Sequence, residues 1–419
     1  MVQALDKVTL KPIRVDGAAC VLSLASSARN GATYIRQRFG SCGIAPTYAR
    51  SLPTRICTAT GGNPGATGGT TTTPVTPGQP SPVLPRSPIA ESEQIPAGIT
   101  RIKAASAAAG VFNTAGLPAS QQVAVGVVDS GIDGTHPDLN LVGGSSWVTP
   151  SSRVAGDVVD ADVDRYGHGT HVAGIIGARN NGAGVVGVAP GVALYSLKVL
   201  DGEGVGALSD AMEAVEWAAS SEGRSKANIK VINLSLAAYM PPEDPDYQAT
   251  LDLVCASFKA ASDAGIVVVA AAGNYGTDLR GYLPASCPTV VAVTSIDPAS
   301  NSASSFSNYL PADAPAADKA RLIAAPGNAI LSTVSYFREA SGYRELSGTS
   351  MASPHVAGVA ATCFMAGKCS SGSTGITQLA KLQAAAKERL GLSAGYGFAG
   401  DTASIINSKF YGNLLWAKF

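Results

Sequence analysis

The chain has no surplus of charge. Thirty Lys+Arg oppose 30 Asp+Glu across 419 residues, and only 14% of positions are charged. Such a chain carries no electrostatic footprint for nucleic acid or for an anionic membrane surface. Long hydrophobic runs are missing too; no uncharged apolar stretch approaches the ~18 residues of a membrane span. None of the seven cysteines forms a CxxC pair, which argues against a zinc ribbon or a thioredoxin-like site. What remains is apolar bulk. At 46% hydrophobic, the chain is too rich for disorder and long enough for a sizeable core in two or three domains.

An odd cysteine count leaves at least one thiol unpaired within the chain. By position, Cys255 is expected to pair with Cys287 and Cys363 with Cys369, which would place the protein in an oxidising, secreted or extracytoplasmic setting. Lys7, Lys11 and Arg14 precede an apolar stretch at 18–25, a weak secretory pattern displaced from Met1 and interrupted by Asp6 and Asp16. A short buried segment is the competing reading of those residues.

Residues 58–90 are dominated by Gly, Thr, Pro and Ser, with no apolar period. Such a stretch cannot bury enough surface to offset its ordering entropy, so it is expected to be a linker. Three parts follow: an N-terminal segment at 1–57, the linker at 58–90, and a large domain at 91–419. Beyond residue 91, apolar strands are expected at 123–128, 193–200, 230–236, 266–272, 290–293 and 322–325. Helices are expected at 168–177, 209–220, 251–264 and 350–366. Continuous apolar strands separated by helices predict an α/β fold, a mostly parallel sheet covered on both faces. In such sheets the site lies at the carboxyl ends of the strands.

Four polar residues stand where those strands end or those helices begin. Asp129 closes a strand in VVDSGID, His168 opens a helix in YGHGTHVAG, Asn274 follows IVVVAAAG, and Ser350 opens a helix in SGTSMASPHVAG. A serine hydroxyl becomes a useful nucleophile when an imidazole takes its proton, and a carboxylate holds the imidazole tautomer. Ser350 at a helix N-terminus has free backbone N–H groups beside it, and the Asn274 amide adds a donor for an oxyanion. Taken singly, each has a simpler reading: Asp129 and Asn274 as turn residues, Ser350 as an N-cap. Together in glycine-rich frames, they point to acyl transfer.

The blocks VVDSGIDGTHPDL, GHGTHVAGIIGA and GTSMASPHVAG resemble the catalytic motifs of the subtilisin-like serine peptidases, in the order Asp, His, Ser. Similarity runs from about 94 to 370, through NGAGVVGVAPGVALYSLKVL, NLSL, AAAGN and IAAPG. The resemblance implies a three-layer subtilisin-like fold and a serine endopeptidase, with Asp129 orienting His168, His168 as base then acid, Ser350 as nucleophile and Asn274 in the oxyanion hole. It further implies that polypeptide substrates bind extended beside 233–238, at Ser235, Leu236 and Ala237, with Ala271, Ala272 and Gly273 walling the first specificity pocket. This chain has Ala237-Ala238 where the family usually has Gly-Gly, which narrows that pocket or reorients the strand. Activity is expected to rise as His168 loses its proton.

No cofactor is implied for catalysis. The loop RNNGAGV resembles the family's calcium loop, which implies Asp138, Asn181 and the carbonyls of Arg179, Ala183 and Val185 as ligands, with Glu93 near an N-terminal ligand position. An ordinary Asn-Gly turn is the alternative. His168 and His171 stand three apart, but no third ligand or HExxH glutamate accompanies them. His136, His171 and His355 are expected to be structural histidines bonded to backbone. The family usually carries an N-terminal inhibitory propeptide; 1–57 is either a truncated or divergent one, released by cleavage between about 85 and 95, or an unrelated segment. The protein is expected to act as a monomer. A catalytically silent homologue and a His-dependent metallohydrolase are the competing functions.

Overall fold

The computed structural model describes residues 93–104, 123–148, 160–370, 373–392 and 396–417, together with short strands in the first 58 residues. Contacts divide it into Met1–Leu52 and Pro53–Phe419. In the first unit, Leu22–Arg29 and Ala32–Phe39 form an antiparallel pair, as do Ile13–Val15 and Ala18–Cys20. The expected linker, Thr58 apart, lies outside the described residues.

The second unit contains strands β1 (Ile56–Thr58), β2 (Ala124–Asp129), β3 (Leu141–Ser146), β4 (Ala193–Lys198), β5 (Val205–Gly206), β6 (Ile229–Leu234) and β7 (Leu236–Tyr239). It continues with β8 (Val267–Ala271), β9 (Tyr282–Leu283), β10 (Val291–Asp297), β11 (Leu322–Pro326), β12 (Ile330–Thr333), β13 (Tyr343–Leu346) and β14 (Asn413–Leu414). The helices that matter below are α1 (His168–Gly177), α2 (Leu208–Ala219), α3 (Tyr247–Asp263), α4 (Thr349–Met365) and α5 (Gly375–Leu392).

A central sheet runs β14-β11-β10-β8-β6-β2-β4-β3, with every pair along that path parallel. Alternation of side chains along each strand supplies two cores. Val125 and Val127 of β2, and Val267 and Val269 of β8, face Val172 and Ile176 of α1 and Val356 and Val359 of α4. Val128 and Val268 face the other way, towards Ala211 and Val215 of α2 and Phe258 of α3. Helix α4 is buried along its whole length. Its small residues, Ala, Gly and Ser, let it enter the core on all sides.

The expected elements are present with two differences that bear on function. The strand read as 230–236 ends at Leu234, and Leu236–Tyr239 is a separate strand. The break is at Ser235, whose hydroxyl donates to the Ser350 carbonyl (2.9 Å) and meets Ser353 Oγ (2.9 Å), anchoring the chain to α4 as it leaves the sheet. Helix α5 and the C-terminal strand β14 were not expected. The signal for α5 was available: Leu379, Leu382 and Ala386 are its buried stripe, at helical spacing.

Candidate active site

Strand β2 delivers Asp129 at its carboxyl end, fully buried, and α1 begins at His168. Gly167 precedes α1 at φ +86°, a conformation that L side chains rarely adopt. Gly169 lets α1 approach the β2 turn: a Cβ there would lie 2.1 Å from the Gly131 carbonyl oxygen. This close packing brings His168 Nδ1 to 2.8 Å and 2.9 Å from the two Asp129 carboxylate oxygens. The Nδ1–H therefore donates to Asp129, and the other ring nitrogen, Nε2, is left buried with no hydrogen-bond partner.

Ser350 is the second residue of α4 and is fully buried. Its hydroxyl donates to the Ser235 carbonyl at 3.1 Å. Rotation about one staggered side-chain bond is what redirects such a hydroxyl. Asn274 stands beside the same helix start. Its Oδ1 accepts the Thr349 N–H (2.8 Å) and the Thr349 hydroxyl (2.9 Å), which orients the amide and leaves Nδ2 buried and unpartnered. His168 Nε2, an imidazole acceptor, and Asn274 Nδ2, an amide donor, are thus both buried without partners, and unpaired buried polar groups are costly.

Substrate-binding residues expected from the sequence are divided by the fold. Ala271 and Ala272 are fully buried at the end of β8, and Gly273 turns at φ +102°, with Asn308 Nδ2 2.3 Å from where its Cβ would be. Asn308 was missed by sequence reasoning. It donates to the Ala272 carbonyl (2.9 Å) and accepts from the N–H groups of Tyr275 (3.0 Å) and Thr277 (3.2 Å), holding the loop that carries Asn274. The edge expected at 233–238 is shorter than read. Asn233 and Leu234 pair within the sheet between β2 and β8, so the edge strand starts after them, at Ser235 to Tyr239. Ala237 and Leu236 lie on that edge.

That edge is occupied by the chain itself. Strand β1 lies antiparallel between β7 and β5, with Cys57 opposite both Ala237 and Val205, Thr58 opposite Leu236 and Ile56 opposite Gly206. Strand β9 closes the far side of β7. A cavity of about 410 Å³ lined by Tyr239, Pro242, Tyr247, Thr277, Asp278, Arg280 and Gly281 opens past the end of β7, and none of Asp129, His168 and Ser350 lines it. Tyr275, 75% exposed, stacks on Tyr282 of β9 at 5.5 Å.

The remaining histidines have backbone partners. His136 Nε2–H donates to the Gly342 carbonyl (2.9 Å), His171 Nε2–H to that of Arg344 (2.9 Å), and His355 Nδ1–H to that of Met351 (2.8 Å). Burial pushes His171 down to about 3 and His355 down to about 4, so both rings are neutral. His168 and His171 thus point at different partners rather than at one ion.

The expected calcium residues do meet. Asp138 accepts from Asn181 Nδ2 (2.9 Å), the Val185 N–H (3.2 Å) and the Tyr343 hydroxyl (3.0 Å). Glu93 Oε1 accepts the N–H groups of Asn181 (2.8 Å) and Gly182 (3.1 Å), and Arg179 N–H donates to the Asp138 carbonyl (2.8 Å). The donor set is all oxygen and fits a hard cation by chemistry. Its carboxylates are engaged by the loop's own donors, and among the described residues no group of three His, Cys, Asp or Glu side chains is placed to hold a metal ion.

The profile of the subtilase family matches residues 120–399. The chain belongs to the subtilase family. Subtilisin of Bacillus pumilus is 41% identical over 274 residues, 64% of this chain and 84% of that one. Subtilisin E of Bacillus subtilis is also 41% identical over 274 residues, 61% of its own length. The solved structure of a cold adapted subtilisin-like serine proteinase superposes with a TM-score of 0.52 at 28% identity, covering 71% of this chain and 89% of that chain. This subtilase is a serine endopeptidase, a hydrolase with polypeptide substrates. No described helix is long and apolar enough to cross a membrane.

Proposed function

We propose that this subtilase cleaves peptide bonds through an acyl-enzyme made on Ser350. The observation that carries the reading is the Asp129–His168 contact at 2.8 Å with Nε2 left unpartnered. Ser350 turns from the Ser235 carbonyl to His168 Nε2, gives up its proton there, and its oxygen bonds to the substrate carbonyl carbon. The oxyanion that forms accepts from Asn274 Nδ2 and from a backbone N–H at the start of α4. His168 then returns the proton to the departing amine as the C–N bond breaks. Water hydrolyses the ester by the same route, with His168 again the base.

Substrate binds as an extended strand between β5 and β7, the place that Ile56–Thr58 occupies here. Main-chain hydrogen bonds supply affinity and side-chain pockets supply preference. Release of that strand, whether by cleavage or by displacement, is then required for activity. The pairing of Cys255 with Cys287 and of Cys363 with Cys369 supports a secreted protein. Glu93, Asp138 and Asn181, with the carbonyls of Arg179, Ala183 and Val185, would hold a structural calcium whose charge ties the loop to β13 through Asp138.

A fluorophosphonate tests the central assignment. Wild type is expected to be labelled at Ser350 and Ser350→Ala to be neither labelled nor active. Undiminished peptidase activity in Ser350→Ala, abolished by a chelator, would instead favour a metallohydrolase.

A further inference from the structure

Among the buried acids that the mechanism does not use, one lies next to its histidine. Asp164 is fully buried, four residues before His168, and sits at the seam between β2 and α1. Its Oδ1 accepts the Ser130 hydroxyl (2.8 Å) and the Gly167 N–H (2.7 Å), and its Oδ2 accepts the Thr170 N–H (2.8 Å) and the Thr170 hydroxyl (2.6 Å). Two of the four partners are backbone N–H groups, which can only donate, and two are hydroxyls, which donate or accept according to the proton on the carboxyl. Burial pushes its pKa up, and the Lys198 charge opposes that.

The partners matter as much as the charge. Gly167 and Thr170 bracket His168, and α1 has no side-chain cap and no acid in its first turn. Asp164 supplies both from outside the helix. Ser130 follows Asp129 directly. Its hydroxyl donates to Asp164 while accepting the Gly169 N–H (3.0 Å), and its own N–H donates to Asp129 Oδ1 (2.7 Å). Lys198 Nζ donates to the Ser130 carbonyl from the neighbouring strand. Every backbone segment that carries Asp129 or His168 is therefore tied to one carboxylate, directly or through one hydroxyl.

We propose that Asp164 is a positioning residue that sets the His168 ring against Asp129 through Ser130 and the first turn of α1. It touches no substrate; it acts through Asp129 and His168, the orienting acid and the base. The inference rests on His168 being the base. Misplacement of a reacting group by about 1 Å can cost about 10²-fold in rate, and Asp164 has no contact with the β5–β7 groove, so kcat should move and KM should not.

Asp164→Asn keeps the volume and the Oδ1 bonds but turns an N–H₂ towards two Thr170 donors. Ser130→Ala keeps the carboxylate and cuts its link to Gly169. Both are measured for kcat and KM on a soluble peptide, with kcat expressed per site titrated by a fluorophosphonate so that unfolded protein does not count. Asp164→Asn is expected to lose about 10- to 100-fold in kcat per titrated site with KM within about twofold, and Ser130→Ala to lose less, with the same split. A lowered melting temperature with kcat per site unchanged would overturn the inference and leave a purely structural role. If Asp164→Asn does not fold, Ser130→Ala decides in the same terms. Failure of the wild type to label at Ser350 is a separate result, and it would overturn the nucleophile assignment instead.

Discussion

Mild acid should loosen the two helices that carry His168 and Ser350. His355 lies in α4, five residues after Ser350, and His171 in α1, three after His168; both are fully buried and neutral. Their folded values, about 4 and about 3, lie below the ordinary 6.5. The unfolded chain therefore binds more protons in that interval, and stability falls as the pH drops below 6.5. For His355 the interval from 6.5 to about 4 spans about 2.5 pH units, and at about 1.36 kcal/mol per unit it contributes roughly 3 kcal/mol of destabilisation by pH 4. His171 adds about as much over the same range. Typical domains hold about 5–15 kcal/mol in all, so two such protonations take a large part of it.

The assay is urea unfolding of Ser350→Ala protein, which cannot digest itself, at several pH values from 7 to 4.5. His355→Gln, which cannot titrate, is expected to be less stable at pH 7 but to lose stability with pH about half as steeply. Equal slopes for the two proteins would refute the reasoning, because the ring would then not be the group that takes the proton.

Asn274→Ala should lower kcat by about 10² to 10³ with little change in KM, the loss known for the matching donor in subtilisin; a change confined to KM would remove Asn274 from the oxyanion hole. Chelator treatment should lower the melting temperature while leaving initial rates at 25 °C intact, and Asp138→Asn should abolish the chelator effect. Identical melting curves with calcium and with chelator would end the calcium reading. Replacing Cys255 and Cys287 by alanine opens a loop with a sequence separation of 32 residues and should cost about 3–4 kcal/mol by chain entropy, read as a drop in urea midpoint; no drop would mean that the pair is reduced in the folded protein.

The chemistry-bearing residues were legible because they sit in short, local contexts. The run ending at Asp129 is apolar at every position, which declares a buried strand, and the glycines around His168 declare a tight turn into a helix. The structural reading of His136, His171 and His355 came from the lack of a third ligand or HExxH glutamate beside His168 and His171, and each of the three has a backbone partner. The boundary at Ser235 was not legible. The apolar run continues across it, and what stops the strand is a hydrogen bond to α4 from a residue 115 positions away. Asp164 and Asn308 were invisible for the same reason: a buried carboxylate and a buried amide look like loop polars until their donors arrive from elsewhere.

By itself, then, the order of residues determined the parallel α/β architecture and the family, and it marked Asp129, His168, Ser350 and Asn274 as the candidates for acid, imidazole, hydroxyl and amide. Those depend on periodicity and side-chain chemistry, which are written locally. Tertiary structure alone decided which hydrogen-bonding groups stay unpaired, which carboxylate braces the histidine helix, and which segment lies between β5 and β7. Each of these is a balance of donors and acceptors brought together from distant parts of the chain, and no local pattern encodes that balance.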